Sequence, residues 1–375
     1  MIAYPFLLRL WCALTLLTSL SATAADWQVA KPGWTYAFPR DHGSHPGFKT
    51  EWWYFTGNLA DAAGRAFGYQ LTFFRQGVRP PGSGAGETSR FIVDDFKFGH
   101  FAVTDLAEKR FLFTQKLSRG AFGEAGFSEH ARPESALVWL EDWKLSLDSK
   151  GAFVATAASP EARLNLRMTA TKPWIQHGQR GISQKAAGEG RASHYYSGTR
   201  LRSDGELSVG GKAFKVTGDS WFDHEWATNQ LTPEQVGWDW FSVQLDDGTE
   251  LMLYQMRLST GSPDPTSSGT FVSKDGKSGH LTIDKYRLTP VRFWTSRATG
   301  ARYPVAWDAE VPSLSLTLRI EAAMDDQELV LAPIAYWEGM IRVTGTRKDK
   351  PVTGRGYLEL TGYSGPLVGL SAPEP

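Results

Sequence analysis

The chain has 375 residues, enough for one large domain or two ordinary ones. Its 40 basic and 40 acidic residues balance to a formal net charge of zero, which argues against a nucleic-acid-binding surface. Aromatic residues make up 13% of the chain and include 15 tryptophans, a composition that favours β-structure and suits a pocket for a hydrophobic ligand.

The first 25 residues have the three parts of a secretory signal peptide. Arg9 supplies a cation near the start, an apolar run continues to Leu17, and the segment Ala22-Thr23-Ala24 fits the small-x-small cleavage rule. We therefore expect cleavage near residue 25, a periplasmic or secreted protein, and no stable membrane insertion after the signal is removed. The single cysteine, Cys12, lies inside this segment, so we expect no disulfide and no thiol chemistry in the mature chain.

The rest of the chain is predicted to form β-hairpins. Aromatic, β-favouring runs alternate with turn signals, of which Asp246-Asp247-Gly248 is the strongest. Stretches rich in glycine and serine, namely Pro80–Ser89, Gly178–Ala192 and Ser259–Ser268, are expected to be loops. The predicted hairpins pair Glu51–Leu59 with Phe67–Arg75, Arg90–Thr104 with Arg110–Leu117, Gly237–Leu245 with Thr249–Leu258, and Tyr336–Thr344 with Val352–Gly362.

One hairpin is partly repeated. The spacing of the first hairpin recurs in the third. Trp52, Phe55, Leu59 and Tyr69-Gln70 correspond to Trp238, Phe241, Leu245 and Tyr254-Gln255, with the Tyr-Gln pair one residue closer in the second copy. The repeat suggests two related β-domains, although chance similarity between aromatic hairpins is the alternative. We expect the domains to span 26–205 and 206–375, and antiparallel barrels are a natural closure because a closed sheet has no free edges.

The segment Gly218–Trp226, GDSWFDHEW, is the strongest candidate site. In a strand, alternate side chains share a face, so Trp221, Asp223 and Glu225 should point one way and His224 the other. This separation argues against a metal site, and the HExxH zinc motif is absent here. We therefore predict no metal and no cofactor.

Asp223 and Glu225 have two possible roles. A carboxyl group beside Trp221 would be desolvated, which raises its pKa and makes it a possible general acid. Buried acids can equally be structural partners of arginine, and the residues alone leave both interpretations open. The other candidate substrate-binding residues are Glu51, Trp53, His194, Tyr196, Trp238 and Trp240.

Several segments in order carry a family resemblance. HPGFKTEWWYFTGNL, FGYQLTFFR, GDSWFDHEW, GWDWFSVQLDDGTELMLYQMR, YWEG and GYLELTGY together resemble the AttH-type secreted proteins, relatives of the carotenoid 1,2-hydratases, from about His45 to Tyr363. The resemblance implies two lipocalin-like antiparallel β-barrel domains packed side by side. It also implies that Asp223 matches an acid that protonates a double bond in the hydratase branch. Trp221 and Glu225 depart from what we expect in the carotenoid enzymes and argue, with the export signal, against a carotenoid substrate.

Three functions follow as expectations. The first is a hydratase or related lyase that acts on a lipophilic unsaturated substrate, with Asp223 as general acid. The second is a non-catalytic carrier of a lipophilic small molecule, or an accessory of an envelope ABC transporter, that uses the same pocket only to bind. The third is a secreted hydrolase, although the GxSxG motif is absent from the Gly218–Trp226 segment.

Overall fold

The computed structural model describes residues 26–83, 89, 91–229, 231–331 and 334–365, and the predicted signal peptide lies outside them. These residues form two antiparallel sheets, with no α-helix among them. Within this described part, no helix has the length and apolarity needed to cross a membrane. The three short 3₁₀ helices are Arg40–His42, Ile283–Lys285 and Pro312–Leu314.

The first sheet has 13 strands in the order β4-β3-β2-β1-β13-β12-β9-β8-β7-β6-β5, with β10 and β11 paired to β12. Its strands are β1 (Thr50–Asp61), β2 (Ala66–Gly77), β3 (Asp95–Asp105), β4 (Arg110–Ser118), β5 (Ala125–Phe127), β6 (Ala136–Leu140), β7 (Trp143–Leu147), β8 (Phe153–Ala158), β9 (Ala162–Ala170), β10 (Ile175–Gln176), β11 (Ile182–Gln184), β12 (Ala192–Val209) and β13 (Lys212–Ala227).

The second sheet has ten strands in the order β17-β16-β15-β14-β23-β22-β20-β19-β18, with β21 paired to β22. Its strands are β14 (Gln235–Leu245), β15 (Glu250–Leu258), β16 (Ser268–Val272), β17 (Ser278–Thr282), β18 (Arg287–Thr295), β19 (Arg302–Val311), β20 (Leu316–Ala322), β21 (Glu328–Val330), β22 (Ala335–Arg347) and β23 (Lys350–Leu360). One of the two sheets curls into a nearly closed barrel and the other into a half barrel.

The all-β prediction and the four predicted hairpins are confirmed. Antiparallel ladders join β1 to β2, β3 to β4, β14 to β15 and β22 to β23. The expected loop Gly178–Ala192 instead contains the short strand β11, which pairs with β12. Three residues are too few for a recognisable period, so no sequence pattern indicates this strand.

The change from one sheet to the other falls between Ala227 and Gln235, not at the expected boundary of 205/206. Strands β12 and β13 form one long hairpin that crosses the expected boundary and turns at Gly210-Gly211. Both turn glycines have positive φ, as a tight hairpin turn requires. Such a turn resembles a linker in sequence.

The repeated hairpin keeps its side-chain orientation in its first strand only. Phe55 and Phe241 both lie in the apolar interior of their own sheets, whereas Tyr69 is interior and Tyr254 faces the space between the sheets. In the ladders Tyr69 is opposite Gly57, while Tyr254 is opposite Trp240. The second copy is one residue shorter, and a shift of one residue moves every side chain of a strand to the opposite face. The side chains of β15 therefore face the other way from those of β2.

The two sheets pack against each other through β1, β2 and β12 of the first sheet, which contact β23, β22 and β14 of the second. A side chain at Gly68 would place its Cβ 2.5 Å from the Tyr357 hydroxyl, so this glycine permits the close approach. Polar groups also bridge the sheets, because Gln244 Nε2 donates to the carbonyls of Thr199 and Ser220 at 2.8 and 3.1 Å. This packing leaves a cavity beside it.

Candidate functional site

The cavity has a volume of about 420 Å³ and lies between the two sheets. Strand alternation decides which residues reach it: Trp52 and Tyr54 point from β1 into the cavity, while Trp53 and Phe55 point into the core of the first sheet. Its wall is mostly aromatic and aliphatic, which suits a lipophilic ligand. The acidic side chains in the wall are Asp223, Glu225, Glu338 and Glu359.

Asp223 is buried in the cavity wall and is held by three neutral donors. The Tyr195 hydroxyl donates to Oδ2 at 2.7 Å, the Trp221 indole N–H donates to Oδ1 at 2.6 Å, and the Ser197 hydroxyl also donates to Oδ1. Among the described residues, Asp223 has no ion-pair partner. Burial raises its pKa to about 7, although the three hydrogen bonds oppose the rise, and Glu225 adds to it. Asp223 is therefore an acid that can hold a proton near neutral pH.

A second layer of hydrogen bonds fixes the donors of Asp223. His177 Nε2 lies 2.6 Å from Ser197 Oγ, and His177 Nδ1 lies 2.8 Å from Thr270 Oγ1. Burial holds the pKa of His177 well below its usual range, so the ring is neutral and can donate to Ser197 while it accepts from Thr270. This chain of contacts links β12 and β13 to β16 of the second sheet.

The Ser197 cluster does not have the arrangement of a hydrolase triad. In a triad, the histidine lies between the serine and the acid and removes the serine's proton. Here Ser197 lies between His177 and Asp223, and the second ring nitrogen of His177 contacts Thr270. Ser197 is also fully buried, so this cluster offers no nucleophile to a substrate.

Glu225 is paired with a buried lysine at one side of the cavity. Lys185 Nζ lies 2.9 Å from Glu225 Oε1 and sits over the rings of Tyr195 and Tyr254. Burial alone would lower the pKa of Lys185. The charge and hydrogen bond of Glu225, together with the charges of Tyr254 and Asp223, outweigh burial and raise the pKa, so the lysine stays charged. Glu225 thus acts as the counter-ion of Lys185, whereas Asp223 has no counter-ion among the residues that the structure describes.

Two further acids face the cavity from the second sheet. Glu338 of β22 and Glu359 of β23 are directly opposite each other in the ladder. Burial raises the pKa of Glu359 to about 7, and burial together with the charge of Glu359 raises that of Glu338 well above its usual range. The Trp238 indole donates to Glu359 Oε2 at 3.2 Å. Within the described part of the chain, Glu338 has no hydrogen bond of ordinary length, and the nearby phenols of Tyr54 and Tyr336 offset its burial only in part.

Of the sequence-predicted residues, five lie at or next to this cavity. Asp223, Glu225, Trp238 and Trp240 line it, and Trp221 packs behind Asp223. The Trp240 indole donates to the Tyr195 hydroxyl at 3.1 Å and so supports the hydrogen bond to Asp223.

The other four predicted residues lie on the opposite face of their strands. Trp53 stacks on His224 inside the first sheet, and Tyr196 lies in the same interior beside His42. His194 packs against Trp34 and Trp226, and Glu51 is fully buried. Their sequence neighbours Trp52 and Tyr195 are the ones that reach the cavity, so the prediction was one residue out of phase on β1 and β12.

Glu51 belongs to a buried ion-pair network, which is also the nearest approach to a metal site in the described residues. His45, Glu51 and His224 bring possible ligand atoms within 4.8 Å of one another. However, the Glu51 carboxylate is already bound by His45 Nδ1 at 2.7 Å, His224 Nε2 at 2.9 Å and Arg75 Nε at 3.2 Å. Although burial opposes it, the charges and hydrogen bonds of these partners keep the pKa of Glu51 far below its usual range. The arrangement is that of a structural ion pair.

The acids of the second sheet were not predicted from the sequence. Glu338 and Glu359 lie in the segments YWEG and GYLELTGY, which carry part of the family resemblance. A glutamate inside an otherwise apolar strand is the signal that could have found them, since such residues are rarely buried without a purpose. Lys185 has no comparable signal, because its segment is rich in glycine and was predicted to be a loop.

Comparison with known proteins gives the family. The AttH-like family profile matches residues 29–363, nearly all of the chain. The chain belongs to the AttH-like family. A crystal structure of an AttH-type protein from Nitrosomonas europaea is 34% identical, with a TM-score of 0.79, and the match covers 90% of this AttH-like chain and 99% of that one. The resemblance seen in the sequence is thereby confirmed.

Two further proteins are similar to this AttH-like chain in fold or in part of the sequence. Kievitone hydratase from Nectria haematococca shares the fold with a TM-score of 0.68 at 14% identity, over 91% of this chain and 97% of the hydratase. Dehydratase asqC from Emericella nidulans is 22% identical over 226 residues, which are 58% of this chain and 63% of the dehydratase. The match thus spans less than two thirds of the dehydratase's length.

Proposed function

We propose that the chain adds water to, or removes water from, a carbon–carbon bond of a lipophilic substrate, with Asp223 as the proton donor. The main support is a carboxyl group in the wall of an aromatic cavity that lacks an ion-pair partner among the described residues and has a pKa of about 7. Such a group keeps a proton at neutral pH and can transfer it to a poor base. The names of the hydratase and the dehydratase described above agree with this chemistry.

The proposed hydration has three steps. The O–H bond of Asp223 breaks as its proton forms a C–H bond with one alkene carbon. The positive charge left on the other carbon lies near the faces of Trp52, Tyr54 and Trp240, which stabilise a cation. A water oxygen then bonds to that carbon and releases a proton to a base. Removal of water is the same sequence in reverse.

Isotope labelling tests the reaction with an unfractionated lipid extract as the source of substrate. The mature protein is incubated with this extract in water enriched in heavy oxygen, and products are examined by mass spectrometry. A hydratase yields a lipid that is heavier by one labelled water. Retention of unaltered lipid in the protein, without label, would contradict the proposal and favour a carrier.

Asp223→Asn tests the assigned residue. Because asparagine cannot supply the proton, we expect labelled product to fall by about 100-fold or more while lipid retention and fold are preserved. Asp219→Asn is the matched control, since Asp219 lies on the same face of β13 but pairs with arginines outside the cavity. In the wild type the hydration rate should fall as the pH rises through about 7, where Asp223 loses its proton. A variant that cannot fold would show instead that Asp223 is structural.

A carrier of lipophilic molecules is the second candidate. The observation that favours it is the mainly apolar wall of the cavity, which is sufficient for binding alone. In that case Asp223→Asn would leave lipid retention unchanged and no labelled product would form with either protein. The periplasmic or secreted location and the envelope ABC transporter as partner stay predictions from the sequence.

A further inference from the structure

Glu338 is the buried acid whose environment the fold explains least. It is 1% exposed, points into the cavity, and neither of its carboxyl oxygens has a hydrogen bond of ordinary length in the described structure. A buried polar group without a partner lowers the stability of the fold. The other buried acids discussed above have partners, since Asp223 accepts three hydrogen bonds and Glu51 is paired with Arg75. The phenols of Tyr54 and Tyr336 lie near Glu338 and offset its burial only in part, so a further partner of Glu338 is expected in the cavity.

Glu338 lies beside a second buried acid, Glu359. The two residues are a directly opposed cross-strand pair, and both side chains face the cavity. Two carboxylates this close cannot both be ionised in a low-dielectric site, so the pair holds a proton between them. The pair then offers an acidic O–H and a basic oxygen side by side, while Trp238 fixes Glu359 through its indole N–H.

The pair and Asp223 belong to different sheets but to one cavity. Asp223 enters from β13, and Glu338 and Glu359 enter from β22 and β23. Their charges influence one another, since Asp223 contributes to the raised pKa of both glutamates. A substrate between the sheets would contact Asp223 on one side and the glutamate pair on the other.

We propose that Glu338 and Glu359 form the second acid–base group of this site, and that its ligand is an uncharged lipophilic molecule with a hydroxyl or carbonyl oxygen. This inference rests on the proposed function, and it names the base that accepts the proton from water in the hydration. Glu338 donates to the ligand oxygen, and the basic oxygen of the pair takes the proton that the attacking water releases. Asp223 loses one proton and the pair gains one, so exchange with solvent returns the site to its starting state. A ligand carboxylate would be repelled by the acids of the wall.

Binding of simple amphiphiles tests the ligand class independently of turnover. The probes are dodecanol, dodecanoate and dodecyltrimethylammonium at pH 7, and the signal is the fluorescence of the cavity tryptophans. We expect dodecanol to bind, and dodecanoate to bind at least about 10-fold more weakly, because its charge meets the acids of the wall. Equal affinity for dodecanoate, or a clear preference for the quaternary ammonium ion, would overturn the assignment.

Two variants test the residues. Glu338→Met, which has no polar hydrogen to donate, should weaken dodecanol binding about 5- to 10-fold, as loss of one hydrogen bond to the ligand predicts. Glu359→Gln should change binding little but lower formation of oxygen-labelled product about 100-fold. Glu321→Gln, at an exposed position of β20, is the control and should change neither.

The outcomes separate this inference from the proposed function. If Glu338→Met binds dodecanol like the wild type, the glutamate pair is not the recognition group, whether or not water is added. If the wild type shows the dodecanol preference and its dependence on Glu338 but forms no labelled product, the ligand class stands and the hydratase fails. If labelled product forms at the wild-type rate with Glu359→Gln, the pair is not the base.

Discussion

At the scale of single residues, two buried aspartates show what distinguishes a proton donor from a structural acid. Asp239 is fully buried and pairs with Arg257, Gln255 and Tyr363. Asp223 is buried to a similar degree, but its partners are two hydroxyls and an indole, which are neutral. A neutral environment lets the carboxyl group of Asp223 exist in both protonation states. Burial raises the pKa of Asp239 as well, but the Arg257 guanidinium opposes that rise by favouring the carboxylate.

The Ser197→Ala variant tests this interpretation of Asp223. Because the lost hydrogen bond favoured the ionised carboxyl, the pKa of Asp223 should rise above its value of about 7, by about one unit. The measurement is a pH titration of the protein labelled with carbon-13 at aspartate carboxyl groups, observed by NMR. Ser203→Ala is the control, since Ser203 is buried on the same strand and bonds Ser220 instead. A pKa that stays at about 7 or falls would show that Ser197 does not stabilise the carboxylate.

At the scale of the strand, side-chain alternation predicted which residues of one strand share a face. It could not predict which faces of different strands lie together. It correctly placed Trp221, Asp223 and Glu225 on one side of β13 and His224 on the other. It could not decide which face of β1 or β12 meets that side, because this depends on the register between strands. Glu338 and Glu359 come from strands far along the chain, and only the closure of the second sheet against the first brings them to Asp223.

Trp52 and Trp53 give a test of this alternation, because they are adjacent and chemically identical. Trp52→Ala removes a half-buried ring from the cavity wall, so we expect weaker binding of dodecanol and little loss of stability. Trp53→Ala leaves a hole in the interior of the first sheet and should lower the free energy of unfolding by about 3–5 kcal/mol. Denaturant unfolding and tryptophan fluorescence measure the two effects. The reverse pattern would mean that the strand faces the other way.

At the scale of the whole molecule, two sheets with separate cores share a third apolar cluster between them. This cluster joins Tyr54, Tyr195 and Trp221 of the first sheet to Trp240 and Tyr357 of the second. The cavity is bounded by the same surfaces, so its acids are buried only when the sheets are packed together. Burial of these acids therefore opposes the association of the sheets, while the aromatic cluster favours it.

The pH dependence of stability measures how strongly the buried acids oppose the association of the sheets. The pKa of Glu338 is higher in the folded protein than in the unfolded chain. At a pH below the unfolded-state pKa, Glu338 is protonated in both states and its contribution to stability is fully present. As the pH rises toward the folded-state pKa, the unfolded chain releases the proton first, so this contribution is lost. Glutamine at this position stays neutral. Glu338→Gln should therefore match the wild type in stability near pH 4 and exceed it by about 1–3 kcal/mol at pH 8.

The stability of Glu338→Gln has to be compared with that of the wild type at each pH, because other groups also titrate between pH 4 and pH 8. Burial lowers the pKa values of His42, His100 and His177, and these side chains make the folded state less stable as the pH falls below 6.5. Their contribution is the same in both proteins and cancels in the difference. Thermal unfolding at pH 4 and pH 8 gives that difference, and Glu321→Gln should show none. A Glu338→Gln variant that is less stable than the wild type at pH 8 would mean that Glu338 has a favourable partner within the folded protein, and its carboxyl group would then have no need of a ligand oxygen.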